Sequence, residues 1–462
     1  MHYLRFVIPQ QLIQSLQNIK GFNEDSFLET HQSSTQVTSI RINPNKSNLD
    51  ESCLNIESSI PWCNWGRYLT ERPSFTFDPL FHAGAYYVQE ASSMFLWQIL
   101  QQTIGENTQK KVLDLCAAPG GKSTLLASYF VNGLLVSNEV IKQRASVLVE
   151  NITKWGCHNV IVTNNDPKDF KKLLHFFDVI VIDAPCSGSG LFRKDKNAID
   201  EWSQDNVNLC SQRQQRIIAD TIDCLNDDGL LIYSTCSYSK QENEDVLDWI
   251  KETFDLESVQ INITDEWGII ETESDSQNAF GYRFYPDKVK GEGFFIAAFK
   301  KNNKSETSLK FKETVLAKPL KNELDITNNF LLLPDASYLF KQNEFLRFFP
   351  KEYQQELQII ASYLYIKKAG VELGVVKGKD LIPSHELAMS SIDISHLPYF
   401  DLNKEQSLQY LGKKEVNIDI NSKGWALVKF EGVILGWIKA LQNRINNYYP
   451  IEWRILKENL NK

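Results

Sequence analysis

The chain has 462 residues, 42% of them hydrophobic, and a formal net charge of −9. That length suggests about three domains at ~150 residues each, with enough apolar content for a real core and no stretch of disordered composition. The acidic sum does not exclude a nucleic-acid partner: residues 242–276 hold twelve acidic residues and one lysine, and taking that −11 from −9 leaves +2 for the rest, where local patches decide binding.

The first residues, MHYLRFVIPQQ, lack a basic lead before an apolar run, and no 18 apolar residues follow one another. A signal peptide and a membrane span are therefore not expected, and a cytoplasmic chain is. Leu12, Ile13, Leu16 and Ile19 recur at helical spacing, a second helix is expected over 24–29, and 36–43 alternates like a half-buried strand ending at Pro44. Residues 1–80 thus read as a small α+β leader with RNA-binding potential, and 81–302 as the catalytic domain.

From residue 111 strands and helices alternate: strands at 112–115, 134–138, 159–163, 178–182 and 229–234, helices at 123–130, 141–155, 168–176, 204–225 and 242–251. This is the pattern of a parallel sheet covered on both faces. Apolar runs at 279–285 and 293–299 read as an antiparallel hairpin added to its edge. Residues 303–325 read as a linker. Residues 326–462 change to glycine-punctuated short strands, Ala369–Lys377 and Gly424–Trp437, as in a small β-rich barrel. The tail Arg444–Arg454 mixes arginine, asparagine and aromatics, which suits RNA stacking and phosphate contact as well as barrel closure.

The chemistry is concentrated in Lys111-Val-Leu-Asp-Leu-Cys-Ala-Ala-Pro-Gly-Gly-Lys-Ser123, a strand running through a small-residue turn into a helix. Such a turn lets a ligand approach free backbone N–H groups. As a phosphate loop it fails, because Cys116 stands where the first glycine should be. As a dinucleotide loop it lacks Gly-x-Gly-x-x-Gly. What fits is a cradle of Cys116, Ala117, Ala118, Pro119, Gly120, Gly121 and Lys122, with acids at successive strand ends: Asp114 facing a ligand ammonium, Glu139 a ribose, Asp166 an adenine edge. That set matches S-adenosylmethionine, an adenosine with a charged amino-acid tail and no phosphates. Asp183 and Cys186, in Asp183-Ala-Pro-Cys-Ser-Gly188, and Cys236, in Ser234-Thr-Cys-Ser237, end the next two strands beside that crevice. Two thiols and a carboxylate suit nucleophilic activation of an electron-poor ring. Chemistry alone does not say which thiol attacks. The eight cysteines form no Cys-x-x-Cys pair, so neither a metal site nor a disulfide framework is expected. Arg193 and Lys194 are candidates for substrate phosphates.

These loops, together with Gly281-Tyr-Arg-Phe-Tyr-Pro286 and Gly293-Phe-Phe-Ile-Ala297, resemble the signature motifs of the RNA cytosine-5 methyltransferases of the Sun/Fmu type from about Gly84 to Lys301. The tail's Arg444–Asn447 and Tyr449-Pro450 are similar to the PUA-like module of the RsmF branch, which acts on small-subunit ribosomal RNA. The resemblance implies a Rossmann-like S-adenosylmethionine-dependent methyltransferase core, with Cys236 as nucleophile, Cys186 assisting release, and Asp183 holding the base beside the cofactor. It implies an RNA partner, rRNA or the small subunit, with no DNA and no membrane, and a monomer is expected. The rival readings are a tRNA enzyme, a P-loop NTPase resting on Gly121-Lys122-Ser123, and a non-catalytic ribosome-assembly protein.

Overall fold

A computed structural model describes residues 8–33, 36–46, 49–302, 310–418, 423–442 and 444–457. Of the expected linker, 303–309 lie outside the described residues.

The centre is a large mixed sheet. Its main path runs through β1 (Lys111–Asp114), β2 (Leu134–Asn138), β3 (Val160–Thr163), β4 (Phe177–Asp183), β5 (Leu225–Thr235), β6 (Ile270–Glu273), β7 (Phe280–Phe284), β8 (Phe294–Lys301) and β9 (Ile366–Ala369), and the short strand Leu256–Ser258 pairs with β8 off that path. The order along the path is β6-β7-β8-β5-β4-β1-β2-β3-β9. β3, β2, β1, β4 and β5 are parallel, and β8, β7 and β6 continue antiparallel from β5. Alternate side chains feed two cores. Val112, Leu135, Val160, Val179 and Ile232 pack on one face, and Leu113, Val136, Ile161, Ile180 and Leu231 on the other. Sheet order reverses between β1 and β4, so the crevice for a ligand opens at their carboxyl ends. Helices α1 (Gly121–Tyr129), α2 (Lys142–Trp155), α3 (Gln204–Thr221) and α4 (Glu244–Thr253) cover the sheet.

Some elements differ from expectation. The helix expected at 168–176 is a short 3-10 turn, Pro167–Lys172, set by Pro167 at its start and a capping box between Asp166 and Asp169. The helix expected to reach 225 stops at Thr221, because β5 already starts at Leu225. Lys321–Phe330, partly inside the expected linker, is helical.

Near the N-terminus, helices Gln10–Leu16 and Glu24–Gln32 precede a four-stranded sheet in which Ser39–Ile42 pairs with Gly66–Leu69 and Tyr86–Val88. Toward the other end, Ser337–Gln342, Phe345–Pro350, Val371–Lys377 and Asp380–Pro383 make one sheet. Tyr399–Asp401, Gly424–Phe430, Val433–Ala440 and Ile445–Asn447 make another. Ile40, Ile42 and Leu80 share a core with Tyr410, Val428 and Leu435, so the N-terminal and C-terminal sheets brace each other. Among the described residues no helix is long and apolar enough to cross a membrane.

Candidate active site

β1 ends at Asp114, which is fully buried. Ser123 Oγ donates to its Oδ2 at 2.6 Å, while Oδ1 has no hydrogen-bond partner. Burial raises its pKa from 3.8 to about 7. The turn that follows carries Gly120 at φ +118, ahead of α1. A Cβ there would sit in a left-handed backbone 3.3 Å from Leu148 Cδ1 and 3.4 Å from Asn151 Cβ. The turn is held from α2: Arg144 Nη2 donates to the carbonyl of Ala118 at 2.6 Å, and Asn151 Nδ2 to that of Pro119 at 2.8 Å. Ala117 N donates to Asn138 O at the end of β2. Cys116 lies at the start of the turn, and burial pushes its thiol well up, so it is an uncharged lining group.

Glu139, one residue past β2, is buried. Its Oε1 accepts from Ile141 N at 2.9 Å, and Oε2 lies 3.5 Å from Arg144 Nη1. Each oxygen keeps lone-pair capacity for a diol. Asp166 Oδ1 caps the 3-10 turn by accepting from Lys168 N at 3.1 Å, so part of this carboxylate serves local structure. An orphaned buried oxygen at Asp114, a small-residue turn that the left-handed Gly120 seats against α2, and a diol acceptor at Glu139 fit S-adenosylmethionine.

Lys122 turns away from any phosphate role. Its Nζ reaches Asp183 Oδ2 at 2.8 Å, at the end of β4, and Ser234 Oγ on β5 donates to Asp183 Oδ1 at 2.8 Å. With Ser123 given to Asp114 and Lys122 to Asp183, the two side chains that a P-loop needs for metal and phosphate are both engaged.

The thiols converge as the parallel strand ends require. Cys186 Sγ and Cys236 Sγ stand 3.1 Å apart, both half-buried. The hydrogen bond with Cys236 raises the pKa of Cys186 well above that of a free thiol, and burial and Glu242 add to the rise. The site therefore brings Asp183, Cys186, Cys236 and Lys122 together, with Cys116–Gly121 and Glu139 along the adjoining strand ends.

Other expected contacts are committed within the protein. Arg193 Nη1 lies 3.3 Å from Oε2 of the buried Glu292, and Lys194 Nζ 3.9 Å from its Oε1, a local pairing that competes with any phosphate. In the tail, Tyr449 is buried and Asn447 Nδ2 donates to Tyr410 O, which is barrel closure, while Tyr448 stays partly exposed against Trp425. Sequence reasoning missed Glu242, Ser187, Ser237 and the buried Arg283–Glu244 pair. The one available signal was Glu242 lying six residues beyond Cys236, obscured by the acidic run it begins.

A parallel sheet with an antiparallel extension, a phosphate-free glycine cradle and acids at successive strand ends define an S-adenosylmethionine-dependent methyltransferase. The profile of the 16S rRNA methyltransferases RsmB/F matches residues 101–300, that of the N-terminal domain of 16S rRNA methyltransferase RsmF residues 8–91, and that of the methyltransferase RsmF PUA domain residues 398–455. The chain is 33% identical over 421 residues to the ribosomal RNA small subunit methyltransferase F of Psychromonas ingrahamii, covering 86% of this chain and 85% of that one. To the protein of the same name from Vibrio parahaemolyticus it is 29% identical over 481 residues, covering 96% and 97%. Among solved structures, a methyltransferase homolog protein from Pyrococcus horikoshii matches with a TM-score of 0.50 at 27% identity, covering 64% of this chain and 100% of that one. The chain belongs to the ribosomal RNA small subunit methyltransferase F family.

Proposed function

We propose that this protein methylates carbon-5 of a cytidine in 16S ribosomal RNA through a covalent cysteine–cytosine adduct. The observation that carries this reading is the pair of thiols 3.1 Å apart beside Asp183, itself held by Lys122 and Ser234. An enzyme that methylates an exocyclic amine needs neither thiol. The rRNA substrate is favoured over tRNA by the relatives' shared name and by the RsmF-type N-terminal and PUA domains at the two ends.

Carbon-5 of cytosine is a weak nucleophile until something adds at carbon-6. The Cys236 thiolate forms the S–C6 bond, and the displaced electron pair reaches N3, where it takes a proton that the Lys122 ammonium passes through Asp183. Lys122 and Ser234 hold Asp183 at that ring edge. The Cys116–Gly121 turn, Asp114 and Glu139 would hold S-adenosylmethionine, which when bound would supply the electrophilic methyl group that the activated carbon-5 takes. Loss of the carbon-5 proton to solvent then re-forms the C5=C6 bond and expels Cys236 as a thiolate, and the N3 proton returns through Asp183 to Lys122. Cys186, in contact with the leaving sulfur, assists that release. The base must reach recessed strand ends, so the target cytidine is unpaired or flipped out. The same reading places the protein in the cytoplasm, with its rRNA substrate.

Bisulfite sequencing of 16S rRNA from cells with and without the gene tests this reading. One cytidine resistant to conversion only when the gene is present is expected; identical conversion patterns would remove the proposal.

A further inference from the structure

Beneath the two thiols lies a carboxylate to which the reaction assigns no role. Glu242, in the turn between β5 and α4, is 0% exposed. Its Oε1 accepts from Ser187 N at 2.8 Å and Gln214 Nε2 at 3.2 Å, and its Oε2 accepts from Ser187 Oγ and Ser237 Oγ, both at 2.5 Å. Ser187 follows Cys186 directly, and Ser237 follows Cys236. One carboxylate thus joins the residue after each thiol. The Gln214 amide that donates to Glu242 also donates to Pro185 O, the residue before Cys186. Tyr233 OH anchors the Glu242 backbone carbonyl at 2.6 Å.

Burying a carboxylate is costly unless all its lone pairs are met, and here four donors meet them. A fold that needed only packing at this point could fill it with an apolar side chain at no such cost. What a carboxylate does that an apolar group cannot is accept from two different loops at once. The loops are also joined by Gly190 N to Cys236 O at 2.8 Å and Tyr238 N to Ser189 Oγ at 2.9 Å, and Ser237 Oγ lies 3.3 Å from Ser187 Oγ and 3.4 Å from Ser189 Oγ, so the Glu242 carboxylate is the acceptor on which the Ser187–Ser237 hydroxyl pair closes.

We infer that Glu242 is a positioning residue that clamps the Cys186 loop to the Cys236 loop, so that both thiols reach the same pyrimidine ring. It touches neither substrate nor cofactor and acts through Ser187 and Ser237. The inference rests on the methyl-transfer reading only for its kinetic consequence; the thiol geometry is measurable without RNA or methyl donor.

The test uses the full-length protein and two perturbations, Glu242→Ala and the double change Ser187→Ala/Ser237→Ala, which keeps the carboxylate and the Ser187 N–H bond to it but removes both hydroxyl bonds and with them the link to Ser237. The first readout is bridging by dibromobimane, which fluoresces when it joins two nearby thiols; Cys186→Ala supplies the background from the other cysteines. The second is a split between kcat and KM for RNA, since a misplacement of about 1 Å costs roughly 100-fold in rate. Calorimetric binding of S-adenosylhomocysteine identifies folded variants. The expected result is bridging reduced to the Cys186→Ala background and kcat down roughly 100-fold, with KM within about twofold. Wild-type bridging and kcat in a variant that still binds S-adenosylhomocysteine would overturn the clamp. If Glu242→Ala fails to fold, the serine double variant decides by the same criteria. Lost bridging in an enzyme whose wild type never methylates rRNA would sink the functional reading and leave the clamp standing.

Discussion

Arg283 on β7 and Glu244 at the start of α4 form a buried ion pair just behind the Cys236 loop. Their side chains are 2% and 5% exposed. Arg283 Nε donates to Glu244 Oε1 at 2.7 Å, Nη2 to Oε2 at 2.5 Å, and Nη1 to the carbonyl of Tyr238 at 2.8 Å, while Thr272 Oγ1 also donates to Glu244 Oε1 at 2.9 Å. Burial by itself would lower the basicity of Arg283, and Glu244 beside it more than reverses that. Arg283→Met removes three charge-assisted hydrogen bonds and leaves Glu244 buried with only Thr272 to answer its charge. Breaking such a pair from one side costs about 3–5 kcal/mol, a drop of roughly 10²- to 4 × 10³-fold in the folded-to-unfolded ratio. The charge left behind, rather than the lost attraction, dominates that cost, so Arg283→Met/Glu244→Met is expected to recover most of it. Urea unfolding followed by tryptophan fluorescence measures both variants. A single variant within about 1 kcal/mol of wild type, or a double variant no better than the single, would contradict the reasoning. The lost anchor on Tyr238, two residues beyond Cys236, is expected to lower kcat in the single variant as well.

Asp114 gives a pH signature. Its folded pKa of about 7 lies above the unfolded 3.8, so between those values the folded state holds the extra proton and stability falls as pH rises, levelling above 7. Asp114→Asn is expected to flatten that slope, worth up to ~4 kcal/mol for a shift of about three units, as read by urea titrations from pH 4 to 8; an unchanged slope would remove Asp114 as its source. In the proposed binding mode the ammonium of S-adenosylhomocysteine lies beside Oδ1 and favours the ionised form, so binding is expected to tighten as pH rises through 7. About half a proton should be released at pH 7, measured by calorimetry in buffers of different ionisation enthalpy; proton uptake would place the ammonium elsewhere. Gly120→Ala forces a side chain into a left-handed backbone against Leu148; a cost of about 1–2 kcal/mol is expected as roughly tenfold weaker S-adenosylhomocysteine binding, and wild-type affinity would show that the turn relaxes freely.

The parts of the site legible in the sequence are those fixed by local chain geometry. Asp114 before a glycine turn, and Cys186 and Cys236 just beyond the ends of adjacent parallel strands, could be placed because a parallel sheet brings its strand ends to one crevice. The donors that complete the site were not legible, because they depend on which side chains cross between loops. Lys122 carries the mark of a phosphate loop yet reaches Asp183, 61 residues later. Glu242 stood at the head of an acidic run whose charge drew attention to solvent rather than to a buried clamp. The glycine-punctuated texture of the C-terminal part does correspond to short strands, but the sheet that each strand joins is not visible in it. Gly370, at φ +58, divides two of them: Ile366–Ala369 joins β3 of the central sheet, and Val371–Lys377 joins a different sheet. Pairing with a strand some 200 residues earlier leaves no trace in local periodicity.

The division of labour between the thiols is tested most directly by incubating small-subunit rRNA and S-adenosylmethionine with three forms of the protein and running denaturing gels. Cys186→Ala is expected to stall after addition at carbon-6 and accumulate a slow-migrating protein–RNA band. Cys236→Ala should give no band and no methyl transfer, and the wild type turnover without a stable band. Full methyl transfer by Cys236→Ala, or a band that forms with Cys236→Ala and not with Cys186→Ala, would contradict it.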